Sequence, residues 1–208
     1  MLTKTFGLTS TGKWTPRGAF YEVVLPALTA VGMLPRGSIV DAEGTSQDMR
    51  AGIDYIISSA DGTQTTIASR VQWMTDYGTF TLRYRTEKGM MSELTKRTRS
   101  VLAGGSYPTL TLQAYVEQPG GPLINAYVVR TEDLYRHIIR VAPDNAEHFK
   151  TCGCVGKTKW APGGAEFLAV AITEEGKTRE HTTSTLVACG VPVRSFRPIN
   201  AGFGLWTA

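Results

Sequence analysis

From Pro16 onward the apolar positions recur at helical spacing. Ala19, Phe20, Val23, Val24, Ala27 and Leu28 fall three or four residues apart, which stacks them on one face of a helix. Thr15 stands where an N-cap belongs and Pro16 at a first-turn position. Pro26 lies inside the run, so the pattern predicts a kinked or shortened helix, closed by Gly32 and Pro35-Arg36-Gly37. A polar stretch follows, and the period then drops to that of strands. Ile53 to Ile57 reads as a short strand ending at the hairpin signal Asp61-Gly62, Thr65 to Trp73 as a second, and Thr79 to Arg85 as a third. These three are expected to form an antiparallel meander. Glu87-Lys88-Gly89 turns the chain into a helix from Ser92 to Ala103, with Ser92 as N-cap and Gly104-Gly105 as its stop. Alternating Leu110, Leu112, Ala114 and Val116 predict a strand with one buried face, and Leu123 to Val129 a further strand. Thr131 to Val141 reads as a last helix, with Glu132 and Asp133 favourably placed in its first turn.

The order is helix, three strands, helix, strand, strand, helix, an α/β arrangement over residues 16–142, preceded by a polar arm at 1–15. Residues 143–208 form a less regular, mostly-β extension, with Phe167 to Ile172 and Thr185 to Cys189 as its strands and Pro143 as the boundary. At 208 residues the chain is long enough for one domain carrying such an extension. It is 42% hydrophobic and 19% charged, as soluble globular proteins are. No apolar run reaches the roughly 18 residues of a membrane span. Met1-Leu2-Thr3-Lys4-Thr5 lacks the layout of a signal peptide, so a cytoplasmic protein is expected.

Candidate chemistry narrows the field further. Cys152, Cys154 and Cys189 are odd in number, and Cys152-Gly153-Cys154 is tighter than a zinc knuckle, so no zinc is expected. His137, His148 and His181 are isolated. No Gly-x-Ser-x-Gly elbow, P-loop or dinucleotide fingerprint is present, which sets aside the commonest hydrolase and nucleotide-binding signatures. The net charge of +4 permits a polyanionic partner. The basic residues concentrate in one stretch, where Arg83, Arg85, Lys88, Lys96, Arg97 and Arg99 face only Glu87 and Glu93. Such a stretch is a candidate phosphate-contacting surface.

Two further motifs give the element order a chemical meaning. Gly18-Ala19-Phe20-Tyr21-Glu22 places a glutamate in the first helix, and Ala51-Gly52-Ile53-Asp54-Tyr55-Ile56 places an aspartate at the first strand. Taken with the element order, residues 16–141 resemble the PD-(D/E)xK, or restriction-endonuclease-like, nuclease superfamily. The resemblance implies a Mg²⁺-dependent (or Mn²⁺-dependent) endonuclease acting on DNA, often as a homodimer. It implies Glu22 and Asp54 as metal-binding carboxylates. A phosphodiester is shielded by its own charge, so a metal ion that neutralises it and generates hydroxide near neutral pH suits the task. Asp48 reads as a loop-solvating acid.

The second strand departs from the family pattern. Where the family carries Glu-x-Lys, this chain reads Ala68-Ser69-Arg70-Val71-Gln72. Positions 68, 70 and 72 share one face of a strand and carry no acid. Two accounts fit. In one, Glu93 at the start of the next helix supplies the missing metal-binding carboxylate, and Arg70, Gln72 or Lys96 replaces the lysine beside Asp54 in catalysis. Arg83, Arg85, Lys88, Arg97 and Arg99 then contact the DNA backbone. In the other, the site is degenerate, Arg70 pairs with Asp54 or Glu22, and the chain is a catalytically inactive DNA-binding or phage or mobile-element structural protein.

Overall fold

The structure is a computed structural model that describes residues 15–85, 92–141, 155–159, 166–173, 183–188 and 191–198. Thr15 caps the first helix, its hydroxyl accepting from the Gly18 N–H at 3.0 Å. The rod runs as α1 (Pro16–Ala19), a π turn (Phe20–Val24) and α2 (Leu25–Ala30). The π turn is how this helix tolerates Pro26. Proline has no N–H for the carbonyl four residues back and its ring crowds that carbonyl. Here the turn just before it is widened, with the Leu25 N–H reaching the Phe20 carbonyl instead.

The remaining elements are β1 (Ser38–Asp41), α3 (Ser46–Ala51), β2 (Tyr55–Ser58), β3 (Gln64–Trp73), β4 (Thr79–Arg85), α4 (Glu93–Ala103), β5 (Leu110–Val116), β6 (Leu123–Arg130), α5 (Thr131–Val141), β7 (Val155–Lys159), β8 (Glu166–Thr173), β9 (Thr183–Ala188) and β10 (Val191–Phe196). The strands follow the order β1-β2-β3-β5-β6-β10-β9-β8-β4, with β7 also on β8. The β3–β5 pair is parallel, and the other pairs are antiparallel. The protein is therefore α/β with a mixed sheet.

The expected meander is corrected in its third member. A meander exists, but its strands are β1, β2 and β3, and β4 leaves β3 to pair with β8. β5 takes one side of β3 from Ile67 to Trp73 and β2 the other from Gln64 to Ile67, while β4 finds its partner in β8 along its length from Thr79 to Arg85. Asp76 anchors the connection at the end of β6, accepting from Asn125 Nδ2 at 2.8 Å and from the Tyr127 hydroxyl at 2.9 Å. The C-terminal strands share the sheet with the rest of the chain, β10 lying beside β6. Residues 1–14 and the Pro143 boundary lie outside the described residues.

Both faces of the central strands are covered. On one, Phe20, Val24 and Leu28, each 0% exposed, pack with Ile57, Ile67, Val71, Leu112 and Val128. Phe20 also stacks on Tyr55 at 3.9 Å between ring centroids. On the other, Phe80 and Leu82 of β4, Val101 of α4 and Leu134, Tyr135 and Ile138 of α5 pack on Tyr115, Tyr127 and Val129. The single buried face expected of β5 is thus two, and Thr111 and Gln113 are buried beside their apolar neighbours. Each fully buried Leu or Phe contributes on the order of 1.5–3 kcal/mol, so the double-sided core holds β3 and β5 firmly. The candidate site opens beside those two strands.

Candidate active site

Asp54 sits where α3 hands over to β2. The helix ends at Gly52, which is left-handed with φ +69° and donates to the Asp48 carbonyl. The Asp54 N–H then donates to the Ile67 carbonyl at 2.9 Å, and the Asp54 carbonyl accepts from Ala42 at 2.9 Å. The backbone is pinned on both sides, and the side chain reaches across to β3. Oδ2 accepts the Ser69 N–H at 2.6 Å, which leaves Oδ1 for a ligand. Burial raises the Asp54 pKa from its ordinary 3.8 to about 6. The Ser69 bond and Arg97 oppose that shift, while Glu93 and Asp48 add to it. Asp54 is a desolvated carboxylate short of positive charge.

A cleft of about 840 Å³ opens over it, its charged lining Glu43, Asp48, Asp54, Arg70, Arg83, Glu93, Lys96 and Arg97 set among apolar and neutral residues. Arg70 projects from β3 and is 25% exposed. Its partner is Glu93, with Nη2 donating to Oε2 at 2.7 Å, and not Asp54 or Glu22. Glu93 Oε1 takes Arg97, one turn on along α4. Burial pushes the Glu93 carboxyl up, but Arg97 and Arg70 outweigh it and hold the group below the usual carboxylate range. Arg97 is 4% exposed and also donates to the Tyr135 hydroxyl at 3.2 Å and to the Gly52 carbonyl at 3.0 Å. Lys96 donates to the Met49 carbonyl at 2.8 Å. Two neighbouring basic residues of α4 thus fasten the α3–β2 corner that carries Asp54.

Comparison with family models, with curated proteins and with solved structures finds no match. The cleft is therefore interpreted from its own chemistry.

Asp54, Arg70, Glu93, Lys96, Arg83 and Arg97 come together, and others of the expected set do not. Glu22 is exposed and away from the cleft. The spacing of the first helix explains this, because a residue two positions from the inward-facing Phe20 lies about half a turn round, on the opposite face. Gln72 is one same-face position beyond Arg70 and does not line the cleft. Arg97, expected on a surface tracking phosphates, is buried and ion-paired instead. Arg99 is exposed on α4 outside the cleft lining. The Arg85 side chain, Lys88, His148, His181 and the three cysteines lie outside the described residues.

A divalent cation is what the nuclease resemblance implies, and the acids suit one in part. Among the described residues no three His, Cys, Asp or Glu side chains are grouped to share an ion. Glu93 has a guanidinium on each oxygen, so it is poorly suited to metal. Asp54 suits it well, with Asp48 in the same cleft. Magnesium commonly uses one or two carboxylates and completes its shell with water and substrate phosphate.

Gly52 gives the corner a test. A Cβ there would stand 3.2 Å from Arg97 Nη2 in a backbone conformation that L side chains avoid. Gly52→Ala is expected to cost about 1–2 kcal/mol in stability, read by urea unfolding. It should also weaken any activity that depends on Asp54 by more than the loss of folded protein accounts for. An unfolding midpoint equal to wild type would show that the corner is not held as described.

Proposed function

We propose that the protein is a metal-dependent phosphodiesterase acting on DNA. The observation that supports this best is Asp54, a half-buried carboxylate that forms no ion pair among the described residues, at the base of a cleft whose walls bring Arg70, Arg83 and Lys96. In this reading Asp54, with Asp48 beside it, holds the divalent ion. The ion, when bound, neutralises the phosphate and lowers the pKa of water. Arg70 binds the phosphate. It is the more exposed of the two arginines on Glu93 and can turn to an incoming anion, while Arg97 keeps Glu93 neutralised. An arginine stays protonated at all working pH values, so Arg70 serves as an electrostatic clamp and not as a base. Lys96 fixes the corner, while Arg83 at the cleft wall and Arg99 outside it are both exposed, where contacts to the DNA backbone are made. Affinity should fall steeply with salt, as for any surface that neutralises several phosphates.

The pairing of Glu93 with two arginines, and the outward turn of Glu22, favour a second reading in which the cleft binds DNA without cutting it. Plasmid DNA incubated with protein and Mg²⁺ or Mn²⁺ separates the two. Nicking or linearisation by the wild type, lost in Asp54→Ala, is expected. Salt-sensitive DNA binding with no cleavage in either metal would favour the second reading. Cleavage that survives Asp54→Ala would mean that the site lies elsewhere.

A further inference from the structure

The cleft contains a donor that has no partner among the described residues. Gln113 of β5 is 1% exposed and lines the cleft. Its amide is oriented by the backbone of β4, because the Thr81 N–H can only donate and does so to Gln113 Oε1 at 3.2 Å. Flipping the amide would set donor against donor, so Nε2 is fixed at the other end of the group. That nitrogen is buried and has no hydrogen-bond partner among the described residues. A buried amide N–H left unpaired forfeits its hydration without compensation, so such a group is either a defect or a waiting contact. Its surroundings decide what it waits for. In the parallel β3–β5 pair Gln113 stands directly opposite Arg70, on the face that carries α4 and Tyr115. A neutral donor whose strand neighbour on the same face is a half-exposed arginine is suited to an anionic oxygen, and an N–H cannot ligate a cation.

Resting on the phosphodiesterase reading above, we propose that Gln113 is a phosphate-binding residue of the cleft. Its side-chain N–H donates to a non-bridging oxygen of the bound DNA phosphate, beside the Arg70 guanidinium. The backbone N–H of Thr81 sets the direction of that donor, so the clamp is assembled from β3, β4 and β5 together. Phosphate oxygens bind oriented N–H groups and arginine forks alike, and a neutral donor confers geometry without adding charge.

Binding of a short DNA duplex in Ca²⁺, followed by fluorescence anisotropy at several salt concentrations, tests this. Gln113→Met removes the donor at nearly constant volume and is expected to weaken binding roughly tenfold. The slope of log affinity against log salt should stay unchanged, because no charge is lost. Arg70→Gln should weaken binding and make the slope shallower by about one phosphate contact. Gln113→Glu keeps an oxygen for Thr81 and places a negative acceptor where the donor was, and it should bind least. In the wild type, the Gln113 side-chain N–H resonances should move as duplex is added, a readout that needs no folded variant. Unchanged affinity of folded Gln113→Met, or resonances that stay fixed at saturation, would overturn the proposal and leave the phosphodiesterase reading standing. A wild type that binds no DNA at all would overturn both.

Discussion

Replacing Glu93 by alanine is expected to lower the free energy of unfolding by about 3–5 kcal/mol, the usual cost of stripping one partner from a buried ion pair. Arg97 is 4% exposed, packed near Tyr135 with its guanidinium 5.9 Å from the ring centroid. The Tyr135 hydroxyl and the Gly52 carbonyl satisfy some of its N–H groups, but among the described residues only Glu93 offsets its charge within hydrogen-bonding distance. Without Glu93 the cation stays buried and its hold on the α3–β2 corner loosens. Glu93→Gln, which keeps an acceptor oxygen, should lose less. Replacing both partners, as Glu93→Leu with Arg97→Met, should recover much of the loss, since two well-packed apolar groups bring no desolvation cost. Urea unfolding of the four proteins reads the series. A Glu93→Ala loss within about 0.5 kcal/mol of wild type would show that the pair contributes nothing.

That network also marks how far the sequence could be read. The ends of α4 were legible because Ser92 and Gly104 are local signals: the Ser92 hydroxyl accepts from Thr95 and Gly104 is left-handed. Glu93 was expected near Asp54 only through the nuclease resemblance, as the acid that begins the helix after the strands, and it does line the same cleft. Its partners were not legible, since an i,i+4 Glu–Arg pair reads equally as a solvated helix face, and only tertiary packing buries Arg97. The destination of β4 was hidden for a similar reason. Alternation shows that a segment is a strand but not which edge is free to receive it. The outward turn of Glu22 could have been foreseen, because its distance from Phe20 and Val24 along the helix already sets it on the opposite face. Gln113 left a fainter trace, a polar residue at an inward position of a strand whose neighbours are apolar. A strand buried on both faces makes such a residue conspicuous, but β5 looked half-exposed in the alternation of its leucines.

Asp54→Asn is the substitution in which stability and function should move in opposite directions. The folded protein raises the Asp54 pKa from 3.8 to about 6, chiefly by burial. Below about pH 4 the carboxyl is protonated in both folded and unfolded chains, and it adds no penalty. Between about pH 4 and pH 6 the unfolded chain ionises first, so stability falls as pH rises through that window, and above it the full penalty remains. A shift of this size corresponds to at most about 3 kcal/mol, and roughly 2 kcal/mol is expected because the group keeps some contact with solvent. Asn preserves an oxygen for the Ser69 N–H and carries no charge. The variant should therefore match the wild type near pH 4, exceed it by roughly 2 kcal/mol above about pH 6, and show no cleavage. Mg²⁺ should raise the melting temperature of the wild type at neutral pH and leave the variant unmoved, because a cation held at Asp54 relieves the same penalty. A variant less stable than wild type at neutral pH would mean that Asp54 is there to anchor Ser69. Greater stability together with lost activity would mean that the protein carries a partly desolvated charge because its chemistry requires one.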